Sequence, residues 1–118
     1  MPDTSMVPYF ERQIVFNGDF IRLGIGINGA LFLSQALYWT RETSDKDGWF
    51  YKTKEDIEEE TTLTRYQQDR VRKHLEKLEV LEVKNIMAGG APTLHYRVNV
   101  AQVVALLEKQ QHNNKVNE

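Results

Sequence analysis

The chain contains no cysteine. Disulfides, thiolate metal sites and cysteine nucleophiles are therefore excluded, and the usage is compatible with a reducing cytosol. Long apolar runs are also lacking. The unbroken apolar run of the central helix candidate, Ala30 to Leu33, is far too short to cross a bilayer. Met1-Pro2-Asp3 opens with no basic stretch ahead of an apolar segment, so no secretory signal is expected and a cytoplasmic protein is. Nor is there an excess of positive charge: 15 Lys and Arg face 17 Asp and Glu, for a net charge of −2. The total alone does not point to nucleic acid.

Its distribution does. Residues 42–60 hold three positive and eight negative side chains, whereas residues 61–99 hold seven positive and four negative. An acidic block thus adjoins a basic one, and such asymmetry carries information about partners. The 118 residues, 41% hydrophobic and 27% charged, suit one globular domain able to bury a core without covalent staples. That domain is expected over residues 1–109, with a polar tail over 110–118.

Residues 1–12 lack a clean period and read as a lead-in, and Gln13 to Phe16 as a short strand. Asn17-Gly18 is either a hairpin turn or, the preferred reading, the cap of a short helical turn ending at Gly24. Asn28 is expected to cap a helix from Gly29 to Arg41. This helix is apolar nearly all round, as the spine of a domain must be. Trp49 to Tyr51 reads as a strand. Thr53 caps a second helix, Lys54 to Glu60, and Thr64 with Gln67 makes a capping box for a third, running to about Leu78. Leu81 and Val83, then Leu94, Tyr96 and Val98, alternate as strands do. Ala88 to Pro92 between them is the strongest turn signal of the chain. Asn99 caps a last helix, Val100 to Lys109, with Val100, Val103, Val104 and Leu107 on its inward stripe.

This order is that of an α+β winged helix-turn-helix. A second helix braces a third whose outer face can enter the major groove, and a hairpin reaches the neighbouring backbone. With Val71, Leu75 and Leu78 inward, the third helix shows Arg65, Tyr66, Asp69, Arg70 and Lys73 outward, with Arg72 and Lys77 on its flanks. Arg65, Tyr66 and Gln67 are placed to meet base edges, since Arg can read guanine and Gln adenine by paired hydrogen bonds. Thr64, Arg70 and Lys73 are placed for phosphate, with Lys84 and Asn85 helping at the wing, and flanking Arg72 is counted with the DNA-binding set.

Four separated blocks carry a resemblance: Ala30 to Trp39, Gly48 to Thr53, Glu60 to Arg65, and Pro92 to Val98. Together, over roughly residues 13–107, they resemble small winged-helix proteins of phages, prophages and mobile elements, often grouped with replication-associated proteins. The resemblance implies double-stranded DNA binding in replication or transcription regulation. The chain departs from that pattern at Glu58, where a small residue is usual, and at Thr62 and Glu79, where glycine is. Gln68 also stands where an apolar residue often packs.

Other features have plainer readings. Glu55, Asp56, Glu58, Glu59 and Glu60 form an acidic helix that must point away from phosphate or meet a basic partner. The alternative function is a protein-docking module acting through this acidic helix or the apolar last helix, with a replication or regulatory protein or a second copy as partner. Trp39, Trp49, Phe50 and Tyr51 are expected in the core rather than stacked on bases. Asp45, Asp47 and Gly48 match part of a calcium loop, but Thr43 and Lys54 stand where ligands are needed. His74, His95 and His112 lack metal spacing, and Ser5, Ser34 and Ser44 lack a nucleophile's surroundings. No metal, cofactor or catalysis is expected.

Overall fold

Local capping decides where most helices begin in the computed structural model, which describes residues 17–88 and 90–116. The lead-in and the strand expected at Gln13 to Phe16 lie outside them. Asn17 accepts a hydrogen bond from the Asp19 amide and opens a 3-10 helix, Gly18–Leu23, which Gly24 closes at φ 78°. The helical reading of Asn17-Gly18 therefore holds.

The spine helix, α1, spans Gly26–Glu42. It starts ahead of the expected Gly29, and Asn28 lies inside its first turn rather than at its cap. The reason is backbone geometry: Gly24 and Gly26 both take positive φ. They let the chain turn into the helix around Ile25, which is buried and offers no side-chain cap. Ala30, Phe32, Leu33, Ala36 and Trp39 are buried along α1.

Strand β1, Phe50–Tyr51, leads to α2, Lys54–Thr61, whose first turn is capped by the Thr53 hydroxyl accepting from the Asp56 amide. Helix α3 is Arg65–Lys77, begun by the complete capping box of Thr64 and Gln67. The turn between them is held from inside. Buried Thr61 donates to the Ile57 carbonyl (2.6 Å) and accepts from the Leu63 amide. Buried Gln68 donates through Nε2 to the carbonyls of Lys54 (3.0 Å) and Leu63 (2.9 Å), so a polar side chain clamps α2 to α3 where an apolar one would only fill space. Thr62 and Glu79 both sit at positive φ, 67° and 64°, without being glycine.

Strands β2, Leu81–Ala88, and β3, Ala91–Val98, form an antiparallel hairpin; β1 pairs on β3, giving the order β1-β3-β2. Leu81, Val83, Tyr96, Val98 and Phe50 face the helices, with Tyr96 between Phe32 and Phe50 at ring-centroid distances of 6.4 and 5.6 Å. The domain is thus α+β, with helices packed on one face of a small antiparallel sheet.

Helix α4, Val100–Val116, continues past the expected Lys109 through Gln110 and Gln111, both good helix formers. Asn99 caps it as expected, accepting from the Gln102 amide. Its inward side differs from the expectation. Val103 is buried and Leu106 and Leu107 pack on the core, whereas Val100 and Val104 are exposed. Contact with the 3-10 helix sets that orientation.

Candidate nucleic-acid interface

Burial of Val71 and Leu75 against the core turns the opposite side of α3 to solvent. A groove of about 900 Å³ runs along the flank of α3 next to α1, between Tyr66, Arg70, Val71, Lys73, His74 and Lys77 of α3 and Gly26, Ile27 and Asn28 at the start of α1. Arg70, Lys73 and Lys77 form no ion pair among the described residues. Three cations without a salt-bridge partner among the described residues therefore line one concavity, Lys73 also acting on Asp69 through space, beside the amino end of α1, whose amides lack a side-chain cap. Backbone amides and cationic side chains both favour an anion there.

The other expected contact residues divide. Tyr66 is 70% exposed, with the Arg70 guanidinium 5.9 Å from its ring centroid, so both project into solvent from adjoining turns. Arg65 is exposed but paired with Glu55 of α2. Thr64 and Gln67 spend hydrogen-bonding capacity on the cap. The Gln67 amide oxygen accepts from the Thr64 amide at 2.9 Å, and the Thr64 hydroxyl accepts from the Gln67 amide at 3.2 Å. As folded, Gln67 keeps its Nε2 donors but not the donor–acceptor pair that reads adenine.

Arg72 is not part of the groove. It is half-buried and paired with Asp69 (3.6 Å) and Glu76 (3.9 Å) along its own helix. Asp69, in turn, accepts from Lys54 of α2 at 3.0 Å, and that hydrogen bond holds its carboxyl below the ordinary carboxylate range. These residues join α2 to α3 rather than offering charge to a ligand.

At the hairpin, Lys84 and Asn85 fall on opposite faces of β2 because successive strand residues alternate. Asn85 shares the helix-facing side with Val83. Lys84 lies on the far side, its Nζ 4.1 Å from the Trp49 ring centroid, where the Arg97 guanidinium also covers that ring at 4.6 Å. Arg97 is bound to Glu82 (2.7 Å) and to the Asp47 carbonyl, tying the loop after α1 to the sheet. The pair with Arg97 holds the Glu82 carboxyl down, as Lys54 does for Asp69. Of the aromatic set, Trp39 and Phe50 are core as expected and Trp49 is half-buried, but Tyr51 is exposed and stacks on His95.

Sequence reasoning missed the contribution of α1 to the groove, and it left Lys77 on a flank. The glycines at 24 and 26, which permit the positive φ that turns the chain into α1, were the available signal for the first. Among the described residues no group of His, Asp and Glu could hold a metal ion, and no helix is long and apolar enough to cross a membrane. Ser34 serves the fold, accepting from the Asn17 amide and donating to the Ala30 carbonyl. No family model, curated protein or solved structure matches the chain.

Proposed function

We propose that the chain is a winged helix-turn-helix domain that binds double-stranded DNA, with α3 entering the major groove and the β2–β3 hairpin as the wing. The observation that carries this reading is the set of unpaired cations Arg70, Lys73 and Lys77 along one groove. A surface Lys or Arg is ordinarily solvated on its own. Three on consecutive turns along one flank of a capped helix match the electrostatic footprint of a phosphate-tracking helix. The element order helix, strand, helix, turn, helix, hairpin supports the same reading. So does the position of Arg65 and Tyr66 at the helix end that reaches bases in such motifs.

In this proposal Arg70, Lys73 and Lys77 grip phosphate, Arg65 and Tyr66 approach base edges, and Asn85 contacts the backbone from the wing. Arg72, Lys84 and the cap atoms of Thr64 and Gln67 serve mainly structure. The resemblance of the four sequence blocks supports a role in replication or transcription regulation, in the cytoplasm of a cell carrying a phage or mobile element. No catalytic step is assigned.

The test is replacement of Arg70, Lys73 and Lys77 together by Ala. Removing about three phosphate contacts should lower the magnitude of the log–log salt slope of DNA binding by about 2.7 and abolish binding at moderate salt. Unchanged affinity would remove α3 as the DNA surface. The protein-docking reading draws on the exposed acidic side of α2 at Asp56 and Glu58. Reversal of Glu58, Glu59 and Glu60 to Lys would disrupt a complex with a basic partner while sparing DNA binding.

A further inference from the structure

The cation placed to read bases is the one that another helix holds. Arg65 is the first residue of α3, where the positive end of the helix dipole disfavours a cation. Its Nη2 pairs with Oε1 of Glu55 in the first turn of α2, and the two side chains remain 61% and 64% exposed. The other α3 arginines behave differently. Arg72 is bound twice within its own helix, and Arg70 has no acidic partner among the described residues.

We propose, on the basis of the DNA-binding reading, that Glu55 is a positioning residue that latches Arg65 and thereby weakens the binding of duplex DNA. An exposed ion pair is weak and easily exchanged. Guanine, which offers two acceptors to one guanidinium, can displace the carboxylate. Where no guanine lies within its reach, Arg65 stays with Glu55. Arg70, Lys73 and Lys77 need no such release and grip any duplex. Glu55 therefore weakens duplex binding, acting through Arg65 and not merely as a charge that repels phosphate.

The experiment measures anisotropy of a labelled scrambled duplex, over a salt series, with the wild-type full chain, Glu55→Gln, Arg65→Gln and the double variant. Glu55→Gln should tighten binding about two- to five-fold, the range of an exposed pair. It should also steepen the salt slope by about 0.9, for the phosphate contact that freed Arg65 makes. In the Arg65→Gln background the same change should have little effect. Equal tightening in both backgrounds would make Glu55 a plain repulsive charge and overturn the proposal, and so would no tightening in either. A second readout needs no DNA: the Arg65 Nε–Hε NMR resonance should shift on Glu55→Gln, and an unmoved resonance would show that no latch exists. Failure of the DNA reading is distinguishable, since neither the wild type nor any variant would then bind duplex at low salt.

Discussion

Replacing Gln68 tests whether the angle between α2 and α3 depends on a buried amide. Its side chain is almost wholly buried and gives two hydrogen bonds, to the carbonyls of Lys54 and Leu63. Gln68→Ala removes both, at about 1 kcal/mol each, and adds a cavity worth about another 1, for a loss of about 3 kcal/mol. Gln68→Leu restores the volume. The Leu63 carbonyl then loses the amide that satisfies it, which costs about 2 kcal/mol, against about 1 kcal/mol regained by burying a more apolar side chain. The expected net loss is about 1 kcal/mol. For a domain of this size these losses lower Tm by about 12 °C and about 4 °C, at about 4 °C per kcal/mol. Urea melts at fixed temperature, checked by thermal scans, give both values. A Leu variant as stable as the wild type, or more so, would refute the clamp. It would show that an apolar residue serves this position equally well.

Thr62 and Glu79 keep left-handed geometry with a side chain attached, so Thr62→Gly and Glu79→Gly should each stabilise the domain by about 0.5–1 kcal/mol in chemical melts; Ala at the same sites should gain little. Thr64→Ala should lose about 1 kcal/mol with the capping box, again by melting. Asp69 and Glu82 titrate below their ordinary range when folded, because Lys54 and Arg97 bind them. A depressed folded pKa stabilises above the unfolded carboxylate value of about 4, and that stability is lost as pH falls through the folded value. Asp69→Asn with Glu82→Gln should therefore flatten the decline in stability between pH 7 and pH 3.

The elements most legible in the sequence were those whose ends are chosen locally. Thr53, Thr64 and Asn99 cap their helices with their own side chains, and Asn17 with Gly24 brackets the 3-10 helix. The start of α1 was misplaced because buried Ile25 and two positive-φ glycines choose it, and Asn28 offered a more familiar cap. On α4, hydrophobicity alone could not separate Val100 and Val104 from Leu106, since the 3-10 helix decides which side is covered. The outward side of α3 was readable from Val71 and Leu75. What Arg65 and Arg72 do there was not, because pairing with Glu55, Asp69 and Glu76 depends on how the folded side chains meet. Lys84 and Asn85 could have been separated in advance by strand alternation.

Binding of duplex DNA by the unpaired cations of α3, as proposed, is open to direct measurement. Fluorescence anisotropy of the full chain, with duplex from the flanks of its own coding sequence and with scrambled duplex, tests it over a salt series. Affinity should fall with salt at a log–log slope near −2.7 or steeper, about −0.9 for each of Arg70, Lys73 and Lys77, with tighter binding to the native flanks. No binding to either duplex at low salt would contradict the proposal.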